Sequence, residues 1–174
     1  MNGIAVPLYY VSPTQINGQL PLEIQPGPAQ LIVSDGLTSA PVSFTVPIAW
    51  PGIFTYGLSR AIAVNPDGGL NGPASTAHSD DTVVVYLTGG GPVNPSNGWI
   101  TGAASPLGLS RVTLPFTVTI GGLPASVDYL GLTPTSVGLY QLNVRVPALP
   151  PGDHTLVVTV GGKVGNSALI AVAP

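Results

Sequence analysis

The alternation of apolar and polar side chains predicts a run of short strands and no helix longer than a turn. Between Gln15 and Leu20, Ile16, Gly18 and Leu20 fall on one face and Gln15, Asn17 and Gln19 on the other. That is the two-residue period of a half-buried strand. Val42, Phe44 and Val46 alternate with Ser43 and Thr45 in the same way. Residues 82–88, Thr-Val-Val-Val-Tyr-Leu-Thr, are apolar on both faces, so this strand is expected to lie in the centre of the fold, covered on both sides. Further strands are predicted over 4–11, 29–34, 112–120, 125–130, 139–146, 154–160 and 167–173. Turn residues separate them at Ser12-Pro13, Pro26-Gly27, Asp35-Gly36, Gly121-Gly122, Pro150-Pro151-Gly152 and Gly161-Gly162. Phe54–Tyr56 and Arg60–Val64 read as a hairpin through Gly57-Leu58, and residues 65–73 as almost pure turn. Residues 89–110 read as a long loop with Trp99 in its middle, and loops of that length are often functional.

One phrase occurs twice. Gln15-Ile16-Asn17-Gly18-Gln19-Leu20-Pro21 and Gln141-Leu142-Asn143-Val144-Arg145-Val146-Pro147 share the frame Gln-aliphatic-Asn-x-x-aliphatic-Pro. Tyr10 with Ser12-Pro13 precedes the first copy, and Tyr129 with Thr133-Pro134 the second. Gly27 and Gly152 open the turns that follow. The expected architecture is all-β: two tandem immunoglobulin-like β-sandwich units related by internal duplication, the first lacking its leading strands. The first unit is expected over residues 1–78, with 48–78 either a linker or a hairpin that completes it, and the second over 79–174. The second copy is preceded by two predicted strands, 82–88 and 112–120, with no counterpart before the first copy. Phe54–Val64 folding back, or a strand from a neighbouring molecule, are the two candidates for filling that gap.

Charge changes the picture more than any other feature of the composition. Only 6% of residues are Asp, Glu, Lys or Arg, and the net charge is −3. Such a chain presents no basic groove, which argues against nucleic-acid binding. No apolar run is long enough to span a bilayer as a helix, so membrane insertion is not expected. The N-terminus shows no basic segment or cleavage site of a secretory signal, so an exported form would be a mature one. There is no cysteine, hence no disulfide framework and no thiolate metal site.

Candidate chemistry is thin. His78, beside Asp80 and Asp81, and His154, after Asp153, lack the motifs of a nucleophilic triad. Asp80 and Asp81 are adjacent, so on a strand they point to opposite faces and do not pair across a substrate. No catalytic residue, no metal site and no cofactor is therefore expected. Asn65, Asp67 and Asn71 could offer a few oxygens to a structural calcium ion, but without the spacing of a calcium loop they read as turn formers. Lys163, at the tip of the Gly161-Gly162 hairpin, is badly placed for an isopeptide bond. Trp99 and Asn97 in the long loop are the candidate ligand contacts, with a glycan as the candidate ligand. Trp50, after an apolar strand, is expected to pack inside or between units. The recurring Gln15, Asn17, Pro21, Gln141, Asn143 and Pro147 are read as structural, the amides tying backbone groups of a neighbouring loop, against the rival of a polar binding stripe.

The phrases Tyr10-x-Ser12-Pro13-Thr14-Gln15-Ile16-Asn17, Pro51-Gly52-Ile53-Phe54, Asn65-x-Asp67-Gly68 and Tyr86-x-Thr88-Gly89-x-Gly91-Pro92 occur in this order. Gly138-Leu139-Tyr140-Gln141-x-Asn143-x-x-Val146-Pro147 and Asn166-Ser167 follow. In these the chain resembles an uncharacterised C-terminal domain family of large secreted acidobacterial proteins. The resemblance implies a secreted, β-rich, immunoglobulin-like module with no assigned activity, normally preceded by sequence that supplies leading strands. The expected role is that of a non-catalytic extracellular or cell-surface module. It would self-assemble as a homo-oligomer, surface layer or filament by strand complementation. The rival is a carbohydrate-binding or adhesion module using the Trp99 loop.

Overall fold

The computed structural model describes residues 1–94 and 99–173, and over these the chain is all-β. In chain order the strands begin with β1 (Leu8–Val11), β2 (Ile16–Gly18), β3 (Gly27–Leu31) and β4 (Val42–Val46). Four short ones follow: β5 (Gly52–Ile53), β6 (Thr55–Tyr56), β7 (Arg60–Ala61) and β8 (Ala63–Val64). Then come β9 (Thr82–Thr88), β10 (Val93–Asn94), β11 (Arg111–Val112), β12 (Phe116–Ile120) and β13 (Leu123–Pro124). The last are β14 (Val127–Leu132), β15 (Tyr140–Arg145), β16 (Gly152–Val160), β17 (Lys163–Val164) and β18 (Ala168–Val172).

They form two seven-stranded sheets and two two-stranded ribbons. One large sheet has the order β10-β11-β14-β15-β9-β5, with β8 also paired to β9. The other has the order β13-β12-β16-β18-β7-β6, with β17 also on β16. All pairings are antiparallel except β18 with β7. The ribbons are β1-β2 and β3-β4.

The two large sheets share one core. Val83, Val85 and Leu87 of β9 meet Leu142 and Val144 of β15, and Leu156, Val158 and Ile170 from the opposite sheet. The seven-residue apolar strand predicted from its sequence is thus central, flanked by β15 on one edge and by β5 and β8 on the other. Its second face, Val84 and Tyr86, is half-buried.

Residues 52–64 correct the expected organisation. The hairpin through Gly57-Leu58 forms, with Thr55 opposite Ala61 and Tyr56 opposite Arg60. It does not complete the first unit, nor is it a linker. Its strands pair with β9 and β18 and belong to the two large sheets. Phe54–Val64 is therefore not the segment that fills the gap beside the first copy. The physical reason is apolar burial: Ile53, Ala61 and Ala63 have their side chains in the large core.

Two amides lock this arrangement, Asn71 buried and Asn166 at the surface. The Asn71 side chain donates to Ala171 O and to Asn65 Oδ1, and its Oδ1 accepts from Ala171 N at 2.8 Å. Asn166 Oδ1 accepts from Ile53 N at 2.7 Å, and its Nδ2 donates to Ile53 O. Each replaces a peptide group of an absent neighbouring strand, which satisfies backbone groups that burial would otherwise strand. Gly89, at φ +68°, is required by close approach: a Cβ there would lie 2.0 Å from Trp50 O.

Candidate functional site

Residues 1–46 and 120–172 share several turns and strand registers. In the second stretch Tyr129 opposes Asn143, Leu130 opposes Leu142, and the register slips between Val127 and Tyr129. In the first, Tyr10 opposes Asn17, Val11 opposes Ile16, and the register slips at the corresponding place, between Leu8 and Tyr10. Gly27 opposes Val46 as Gly152 opposes Val172, and both glycines hold φ +136°. Asn2-Gly3 adopt the left-handed turn of Gly121-Gly122, with φ of 47° and 77° against 60° and 79°. Asn2 N donates to Gln30 O, as Gly121 N donates to Thr155 O.

What the two stretches bury is opposite. Tyr10 is 51% exposed and Tyr129 4%; Ile16 is 45% exposed and Leu142 fully buried. Leu20, Val33 and Phe44 are exposed, whereas Val146, Val158 and Ile170 are not. The cause is the neighbouring strands. β9 covers the free edge of β15, and β12 covers the free edge of β16. The ribbons β1-β2 and β3-β4 have no such neighbours among the described residues. Val146 exchanges two backbone bonds with Asp80 and Asp81, both at 2.9 Å; Leu20, in its place, makes neither. The first ribbons keep only a small core of Ile24, Ala29 and Val46 against Met1 and Ile4.

A groove of about 1280 Å³ opens along β2, between the ribbons and the large sheets. Ile16, Leu20 and Tyr9 form one wall; Trp50, Trp99 and Tyr140 line the other. The two tryptophans exchange the environments expected of them. Trp50 is 63% exposed. Trp99 is half-buried, packs against the large core and meets the edge of Tyr140 at a centroid distance of 6.3 Å. Its flat ring is held by apolar burial that sequence position does not reveal. Burial also pushes the Tyr140 phenol well above its ordinary pKa, and its hydroxyl donates to Gly91 O. Asn97, the other candidate contact, lies outside the described residues.

The described parts of the long loop are tied to the rest of the molecule. β10 pairs with β11, and residues 101–102 strap the ribbons down. Thr101 Oγ1 donates to Glu23 Oε2 at 2.7 Å and accepts from Leu22 N, and Gly102 N donates to Gln19 Oε1. The bond from Thr101 holds the Glu23 carboxyl below its ordinary pKa. Gln19, predicted on the polar outer face, is buried by this contact.

The recurring amides do something other than tie loop backbone. Gln15 Nε2 donates to Asn17 Oδ1 at 2.6 Å, and Gln141 Nε2 to Asn143 Oδ1 at 3.1 Å. Residues two apart share a strand face, so each pair closes on itself. Pro21 and Pro147 close each copy where the strand has ended. Asn65 and Asn71 are spent on each other and on backbone, and Asp67 caps Gly69 N, which leaves these amides as turn and sheet locks. His78 N donates to Asp81 Oδ2, and His154 Nε2 lies 2.7 Å from Pro150 O. Neither histidine is brought beside a nucleophile by these contacts. Sequence reasoning missed Asn71 and Asn166 as locks. Their only signal was an amide among small turn residues, shared by many loop asparagines.

No protein-family model, curated protein or solved structure matches the chain.

Proposed function

We propose that this chain is a non-catalytic structural module of an extracellular or cell-surface assembly. Its two halves are read as immunoglobulin-like sandwich units related by duplication, and neighbouring molecules complete the first half by strand complementation. The observation that carries the reading is the exposure of Tyr10, Ile16 and Leu20 at positions whose counterparts are buried. An exposed apolar patch rimmed by unpaired strand edges marks an interaction site. Natural edges are commonly blunted by charge, and residues 1–59 carry only Glu23 and Asp35. A contact of this kind joins different surfaces head to tail and propagates into a filament or layer unless it closes a ring. The match of turns and registers between the halves supports duplication, and the resemblance to secreted domains supports the extracellular setting.

Light scattering over about a hundredfold range of concentration tests the reading. Mass should rise with concentration, and Ile16→Asp should hold the chain monomeric with its thermal transition unchanged. A monomer at every concentration overturns assembly. If such a monomer binds a glycan array and loses it on Trp50→Ala, the groove is a carbohydrate site, a reading favoured by the exposed Trp50.

A further inference from the structure

We infer that the occupant of the open half is a pair of uncharged strands, donated by a separate polypeptide, with the chemistry of β9 and β12. This rests on the reading that the first half is completed in trans. The chain contains its own template for the occupied state. β15 receives β9 antiparallel, with Leu142 opposite Val85, Asn143 opposite Val84 and Val144 opposite Val83. Carried to the matching positions of the first half, a donor strand lies antiparallel along Gln15–Leu20. Valine-sized side chains then stand opposite Ile16, Asn17 and Gly18, and the donor bonds Leu20 as Asp80 and Asp81 bond Val146. β16 receives β12 antiparallel, with Leu156 opposite Ile120 and Val158 opposite Val118. The matching track runs along Leu31–Asp35, beyond the point where Asn2 N caps Gln30 O. Leu31, Ile32 and Val33 are exposed on that track.

The chemistry of the donor follows from what it must cover. The side chains it meets are apolar, amide or the hydroxyl of Ser34, and the one charge on either track is Asp35, at the end of the second. A charged donor would be desolvated there without a partner. β9 and β12, Thr-Val-Val-Val-Tyr-Leu-Thr and Phe-Thr-Val-Thr-Ile, are themselves free of charge. One face of the first donor strand fills the place of Val83, Val85 and Leu87 beside Ile16 and Leu20, which line the groove with Trp50. The other stands beside Gln15 and Asn17, as Tyr86 and Val84 stand beside Gln141 and Asn143. The edges join a hydrogen-bonding pattern already satisfied elsewhere in the same molecule, which sets register as well as direction.

Hydrogen exchange of the intact chain tests this with two synthetic peptides, residues 80–90 and residues 114–121, each carrying terminal lysines for solubility. The first should slow exchange of Gln15–Leu20 by about tenfold or more, and the second that of Leu31–Asp35. Peptides of the same composition in scrambled order should do neither, and Ile16→Asp should abolish only the first effect. No protection at these tracks under peptide excess overturns the inference, as does equal protection by scrambled peptides. A chain that assembles by itself without protecting these tracks leaves the assembly reading standing and overturns the inference. A chain that stays monomeric yet is protected by the peptides does the reverse.

Discussion

Residues 1–46 and 120–172 share turns, registers and a Gln-Asn side-chain pair, yet one buries its apolar face and the other exposes it. Local geometry is therefore not what closes the core in this molecule. The difference lies in strands from elsewhere in the chain, β9 and β12, which flank one stretch and not the other. A two-stranded ribbon is marginal by itself, and three or more strands with a covered face are needed for independent stability. The closed half also claims residues 52–64, so it draws strands from both sides of the expected boundary at residue 78.

The comparison is broken most directly by cutting the chain. A fragment of residues 47–174 should unfold in one cooperative transition by circular dichroism. Residues 1–50 alone should show none, because Ile24, Ala29 and Val46 are too small a core to offset about 1–2 kcal/mol of backbone entropy per residue. A cooperative transition in the short fragment would mean that the open half closes without help.

Matched substitutions sharpen it. Leu142→Ala should cost about 2–5 kcal/mol in denaturant unfolding, the range for deleting a buried leucine. Ile16→Ala, its counterpart, should cost about 0.5 kcal/mol or less in the monomer, as at ordinary surface positions. Equal losses would show that Ile16 is covered in the isolated chain.

The smallest effect tests how residues 52–64 are held to the closed half. Arg60 donates to both Asp153 carboxylate oxygens through its two terminal guanidinium nitrogens, at 2.9 and 2.7 Å. That bond holds the Asp153 carboxyl below its ordinary pKa. A carboxyl depressed in the folded state stabilises above its unfolded pKa, and the contribution is lost as pH falls through the folded value. Asp153→Asn should therefore lower Tm slightly at pH 7. The difference from the parent chain should shrink as pH falls below the ordinary aspartate range and through the depressed folded value. A difference independent of pH would assign the effect to something other than this carboxylate.

The sequence by itself determined most of the longer strands, because a two-residue apolar period, β-branched residues and glycine turns act locally. The stretch predicted as one strand over 112–120, however, is split between β11 and β12 in different sheets. Val83, Val85 and Leu87 announced the central strand, and the repeated Gln-aliphatic-Asn phrase marked two segments with the same Gln-Asn side-chain pair. It also excluded a basic groove and any thiolate chemistry, which are matters of composition. The partners of those strands were decided only by the tertiary structure. Short pairs such as Gly52–Ile53 and Ala63–Val64 carry too little pattern to choose between the ribbons and β9. The choice falls to burial of Ile53, Ala61 and Ala63 in a core assembled from distant segments. The same holds for the groove. Trp50 and Trp99 are equally aromatic in sequence, and their exposure depends on whether Tyr140 or solvent faces the ring. Periodicity is a property of neighbours along the chain, whereas an open or covered edge is a property of neighbours in space.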